Sequence, residues 1–195
     1  MLNRQYIAKI LTRLKKNMLT NFGFIDAFTQ KIFIEQFGSQ AIADCPEIRE
    51  NLMLLSALVI NKDLNYLGLR LAGENYSQQD LESSMDTEID SAKTDFSSAD
   101  KQIILQSPSL ELADYQAQLI SELQSREIST VFVYGVPMQA CIDLCIALNQ
   151  DLDKVWLVQD ATKSYKANDR QQAKDLREHG IKLITVRNLE QYLEL

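Results

Sequence analysis

Hydrophobic and polar positions along this 195-residue chain switch between two periods. Thr130 to Tyr134 (TVFVY) is an unbroken β-branched and aromatic run, the pattern of a strand covered on both faces. Lys101 to Gln106, Val155 to Gln159 and Ile181 to Val186 read the same way; Phe22 to Asp26 and Tyr66 to Leu71 are weaker versions. Between them the spacing becomes helical. Pro46 to Asp63 carries Glu47 and Glu50 early, where the helix dipole favours acids. Leu110 to Gln124 places Leu112, Tyr115, Leu119, Ile120 and Leu123 on one side. Met138 to Asn149 is an apolar helix, Asp169 to His179 a helix stopped by Gly180, and Leu189 to Leu193 a final one. Strands alternating with helices predict an α/β fold: three α-β-α layers around a doubly wound, mainly parallel, Rossmann-like sheet with right-handed crossovers.

Two segments depart from this pattern inside what reads as a single domain, residues 1–195. Residues 1–20 hold Arg4, Lys9, Arg13, Lys15 and Lys16 and no acid, with Leu2, Tyr6, Ile10, Leu14 and Met18 at helical spacing. They predict a basic amphipathic helical extension, packed on its own domain or on a second subunit. Residues 74–100 are rich in Ser, Asp and Glu with few large apolar residues, and predict an acidic loop or lid.

Composition narrows the function. A net charge of −7 argues against nucleic acid as a partner. No apolar stretch approaches the ~20 residues of a membrane span. Three cysteines, an odd number, fit reduced thiols and a cytoplasmic location. The one histidine, His179, sits before Gly180 at a helix end. It is remote from the carboxyl ends of the strands, and a Ser-His-Asp triad or a zinc site of the usual ligand type is not expected. No cofactor and no metal are expected.

The most informative stretch is TVFVYGVPMQACIDLCIALN, Thr130 to Asn149. A strand is broken by Gly135 and Pro137, and Cys141 follows near the start of an apolar helix. Ligands in open α/β sheets bind beyond the strands' carboxyl ends, and a helix N-terminus favours a thiolate. Cys141 therefore stands where a nucleophile would be placed. The competing reading is a small apolar residue packed in a turn.

The second half of the chain resembles the isochorismatase-like cysteine hydrolases, which include nicotinamidases and related amidases. The resemblance rests on V-F-V-Y-G-V-P-M-Q-A-C-I (Val131 to Ile142), V-W-L-V-Q-D-A (Val155 to Ala161), and the Asp169–Arg170 pair followed by L-R-E-H-G. It covers Lys101 to Leu195 and is weak before residue 100. It implies a catalytic Asp, Lys and Cys: the thiolate attacks a carbonyl carbon, the Asp moves the proton, and the Lys holds charge near both. Cys141 is then the nucleophile, and the amides of Ala140 and Cys141 the oxyanion donors. Val136 and Pro137 form the turn beneath the substrate, with a bond between them suited to the cis form.

The remaining roles stay open. Asp26, in F-I-D-A-F-T-Q, is the candidate base, with Gln30 two positions from the family's Gln. An alternative alignment places a strand at Ala57 to Ile60 and Asn61 where the Asp would be. Motif similarity favours Lys93 (A-K-T-D-F-S) as the cation. Spacing from Cys141 favours Gln106, which would leave a neutral amide beside the substrate in the Lys position. The resemblance thus implies a hydrolase acting on a small-molecule amide or ester through a cysteine thioester, in a homo-oligomer. The alternative is a non-catalytic relative serving as an oligomeric scaffold or binding protein. A redox-sensing thiol is a third reading.

Overall fold

The apolar runs pair into one sheet. In a computed structural model that describes residues 19–35, 41–42, 45–73, 81, 101–164, 174 and 176–194, six strands lie in the order β3-β2-β1-β4-β5-β6. They are β1 Phe22–Ala27, β2 Asn65–Leu71, β3 Gln102–Ser107, β4 Thr130–Gly135, β5 Lys154–Thr162 and β6 Lys182–Ile184. Every pairing is parallel. Helices α1 Lys31–Ile34, α2 Pro46–Lys62, α3 Gln116–Ser125 and α4 Met138–Leu148 lie in the connections, and α5 Val186–Glu194 follows β6. β1, β2 and β4 are buried almost throughout, as a sheet covered on both faces requires. The predicted α/β architecture is the observed one.

Chain order reverses between β1 and β4. From β1 the chain moves outward to β2 and β3; from β4 it moves the other way to β5 and β6. The carboxyl ends of these two central strands are the switch point, where side chains diverge and a crevice opens. Below it, one face of the sheet is cemented by rings. Phe132 packs 5.1 Å from Phe24 and 5.8 Å from Phe22, and Tyr192 of α5 lies 5.7 Å from Trp156. Such pairs add about 0.5–1.5 kcal/mol each to the area they bury.

Three expectations need correction. Helix does not run unbroken from Leu110: Leu112–Asp114 is a 3-10 turn and α3 begins at Gln116. Ser109 Oγ accepts the Glu111 N–H at 2.9 Å and donates to Asp114 Oδ2 at 2.6 Å, local bonds that compete with the helix. β6 stops at Ile184 rather than Val186. There the Val186 N–H donates to Asp160 Oδ1 at 2.9 Å and the Asn188 N–H to Thr185 Oγ1 at 3.3 Å, so the chain is already capped as α5. The alternative strand at Ala57 to Ile60 is helix, inside α2. Apart from Leu19, Thr20 and Leu81, the basic extension and the acidic stretch 74–100 lie outside the described residues. Among the described residues no helix is long and apolar enough to cross a membrane.

Gly135 sets how closely the two central strands end. Its φ is +121°, and a Cβ there would lie 2.1 Å from the Ala27 carbonyl oxygen. Gly180 also has positive φ, +78°, but nothing lies within 4 Å of its Cβ position. Gly180→Ala is expected to cost about 1–2 kcal/mol, the left-handed backbone term alone. Gly135→Ala should cost about 3 kcal/mol or more, because backbone must also move. Urea unfolding midpoints of the two variants measure the difference.

Candidate active site

Asp26 is the last but one residue of β1 and is wholly buried. A carboxylate in such a place needs donors and a counter-charge. It receives both on one oxygen. Oδ2 accepts from Thr29 Oγ1, Tyr66 OH and Arg70 Nη2, each at 2.8 Å. The Arg70 guanidinium, 4% exposed, is fixed further. Its Nη2 also donates to Tyr66 OH at 2.5 Å, and its Nη1 to the carbonyls of Leu69 at 2.8 Å and Asp26 at 3.1 Å. The other carboxylate oxygen, Asp26 Oδ1, is buried and accepts no hydrogen bond.

Backbone geometry builds this cluster. Phe28 takes φ +59°, a conformation costly for a bulky residue, and the turn it makes brings Thr29 back onto Asp26. Gln30, wholly buried, clamps the end of β2: its Oε1 accepts the Leu71 N–H at 2.6 Å and its Nε2 donates to the Leu71 carbonyl at 2.9 Å. In β2, Tyr66, Gly68 and Arg70 alternate onto the face that holds Asp26, which pairs with Gly68.

Across the switch point, the Val136–Pro137 bond is cis, and Pro137 caps α4. Val136 is buried, with its N–H bound to the Ala27 carbonyl at 2.8 Å. Cys141 lies in the first turns of α4 with no exposed surface. The thiol is pushed well up, first by burial, then by Cys145, Asp26 and Asp143, against the lowering effect of a backbone hydrogen bond. Burial therefore outweighs the helix end, contrary to the lowering expected from the sequence. Tyr115 belongs to the same neighbourhood: burial, then the charges of Cys141, Asp143 and Glu111, raise its hydroxyl. That hydroxyl is buried without a hydrogen-bond partner.

The two amides assigned to an oxyanion both donate to the Pro137 carbonyl, Ala140 at 3.0 Å and Cys141 at 3.5 Å. The second bond is long for an amide, so an oxyanion would compete for it readily. A groove of about 590 Å3 runs along α4, lined by Leu110, Leu112, Pro137, Ala140 and Ile146 and edged by Glu111 and Asp143.

Asp26 thus acts electrostatically on Cys141, and Pro137 and Ala140 line the groove along α4, whose lining includes neither Asp26 nor Cys141. Gln106 pairs with Arg70 across the β2–β3 ladder but is exposed. Lys93 lies outside the described residues. Sequence reading missed Arg70, Tyr66 and Thr29. The signal was present in N-Y-L-G-L-R-L: an Arg inside a strand with no polar face must be buried and must therefore be paired.

No family model matches the chain, and no curated protein matches it. Solved structures do. It is similar to the nicotinamidase of Bacillus subtilis at TM-score 0.70 and 10% identity, over 84% of this chain and 98% of that one. An isochorismatase-like hydrolase from Alkaliphilus metalliredigens gives 0.69 and 15%, over 88% and 97%. The pyrazinamidase of Pyrococcus horikoshii in complex with zinc gives 0.66 and 14%, over 85% and 99%. This chain has the isochorismatase-like hydrolase fold. Among the described residues no three His, Cys, Asp or Glu side chains group to hold a metal ion. The single histidine precedes β6 at the amino-terminal end of the strands.

The raised thiol gives a reactivity prediction. At pH 7.5, alkylation of Cys141 by iodoacetamide in the native protein should be many-fold slower than in urea, since burial both holds the thiol protonated and shields the sulfur. Asp26→Asn removes one of the charges that oppose the thiolate, so the native rate should rise. Peptide mass spectrometry, with Cys45 and Cys145 as internal references, reads both rates.

Proposed function

We propose that this chain is a cysteine hydrolase that cleaves a small amide or ester through an acyl-thioester on Cys141. The observation that carries the reading is the half-free carboxylate of Asp26. Three donors hold Oδ2, Oδ1 is left as an open acceptor, and the carboxylate acts electrostatically on the Cys141 thiol. A general base for a thiol needs an open acceptor and, in the reacting complex, hydrogen-bond reach; Oδ1 supplies the first, and no hydrogen bond joins it to Cys141 before substrate binds. The fold and the amidases that share it support the same reaction class.

In this reading Oδ1 takes the proton as the sulfur attacks the carbonyl carbon. The S–H bond breaks, O–H and S–C bonds form, and the carbonyl oxygen becomes an oxyanion at the start of α4. Collapse expels the amine or alcohol, which takes the proton back from Asp26. Water, deprotonated by the same carboxylate, then attacks the thioester and returns the thiol. The groove along α4 receives the substrate's apolar portion, over Pro137 and Ala140. Its two carboxylates, Glu111 and Asp143, disfavour substrates that carry an anion at that end.

A second reading, a non-catalytic relative, is favoured by one observation: Cys141 is fully buried and its thiol is held protonated. Incubation with a panel of small activated esters and primary amides separates the two. The hydrolase reading expects a covalent acyl adduct, found by intact mass on rapid acid quench and mapped to Cys141. It also expects turnover that Cys141→Ala abolishes and Asp26→Asn lowers by about 10²–10⁴-fold. Absence of both adduct and turnover across the panel establishes the non-catalytic reading.

A further inference from the structure

We propose that Arg70 is the positioning cation of this site: from β2, it keeps Asp26 oriented and neutralised so that Oδ1 can exchange a proton with Cys141. The inference deepens the hydrolase reading and rests on it for the reaction, but its central measurement is independent of turnover.

The argument starts from spacing. Resemblance places the cation at Lys93 or at the Gln106 position. Gln106 is neutral and exposed on the outermost strand. Arg70 is its register partner on the next strand inward, and lies two residues beyond the Gly68 that pairs with Asp26. To reach Asp26 the guanidinium must fold back along its own strand, across Gly68. Gly68 makes this feasible. A Cβ there would lie 3.0 Å from Arg70 Nη2, 3.1 Å from Cζ and 2.7 Å from Ile104 Cδ1. The missing side chain is the channel through which Arg70 reaches the carboxylate.

The hydrogen bonds point the same way. Arg70 donates to one carboxylate oxygen, to the hydroxyl that shares that oxygen, and to two backbone carbonyls, one of them Asp26's own. A planar fork held at four acceptors cannot swing toward the thiol. It fixes which oxygen is occupied and which is open. It also fixes the charge. When the proton moves from sulfur to Oδ1, the negative charge passes from carboxylate to sulfur while the guanidinium stays, so the site's net charge is unchanged. The groups acting on the Cys141 thiol are Cys145, Asp26 and Asp143, with Tyr115 coupled to it. Arg70 reaches it through Asp26.

A double-mutant cycle on Cys141 alkylation at pH 8 tests this, using iodoacetamide as the probe. Arg70→Met in the native sequence should slow alkylation at least fivefold, because an unscreened carboxylate then opposes the thiolate. In the Asp26→Asn background the same change should alter the rate less than twofold. Arg70→Lys should restore most of the native rate. Gly68→Ala keeps every charge but obstructs the guanidinium's path, and should slow alkylation in the same direction even where Arg70→Met fails to fold. Equal effects of Arg70→Met in both backgrounds overturn the proposal, as does a native rate in folded Gly68→Ala. For any ester or amide the protein turns over, folded Arg70 variants should lose kcat with KM held within twofold, and a loss confined to KM also overturns it. If the wild type turns over nothing, the hydrolase reading fails while the alkylation cycle still decides the role of Arg70.

Discussion

A buried carboxylate has to be balanced, and the end of β1 is organised by that need. Removing either partner of a buried ion pair leaves an uncompensated charge and costs about 3–5 kcal/mol, whereas replacing both with apolar residues is often harmless. The pair is thus a poor way to hold a sheet together. Its cost makes sense where the carboxylate serves something other than cohesion. Asp26 and Arg70, joined at 2.8 Å, draw the hydroxyls of Tyr66 and Thr29 onto the same carboxylate oxygen, and Gly68 leaves room for the guanidinium between them.

The backbone around the pair answers to the same geometry. Parallel strands bring Asp26 and the turn before α4 to the same end of the sheet, and the reversal of strand order keeps helices from filling the space between them. Gly135 lets the last residues of β4 lie against Ala27, and the Val136 N–H ties the turn to β1. Phe28 is held at positive φ with its N–H bonded to the Leu69 carbonyl at 2.9 Å, so the strained turn is anchored to β2. Three strands thereby meet through main-chain bonds at the level of the carboxylate, where a small displacement would open the cluster to water.

Much of the fold was legible in the sequence, because period and burial speak locally. Thr130 to Tyr134 could be read as strand without knowing its neighbours. Gly180 could be read as a helix stop, and its φ of +78° accords with that. The site was legible only in halves. As candidates, Cys141 is marked by the strand-turn-helix around it and Asp26 by its place after an apolar run. Arg70 is not so marked, because its ion pair is with a partner 44 residues away and depends on a glycine two residues before it whose meaning is spatial. Side-chain capping explains the misplaced boundaries at Leu110 and Val186. Ser109 and Asp160 each take a backbone N–H that periodicity alone assigns to the neighbouring element.

Burial of Cys141 and a nucleophilic role pull in opposite directions only if the thiolate must exist in isolation. A free thiolate in this core would add an unmatched negative charge, and the raised proton affinity of the thiol states that cost. Transfer to a carboxylate already matched by a guanidinium creates no new charge; it relocates one. The cost is then the difference between two positions of the same anion beside the same cation, far smaller than charging the interior. In the proposed reaction the free Oδ1 would be the acceptor, and Arg70, anchored at four acceptors, the cation that does not move. In such a site a protonated resting thiol and an active nucleophile are successive states of one neutral cluster, and what separates them is the arrival of a carbonyl carbon for the sulfur to attack.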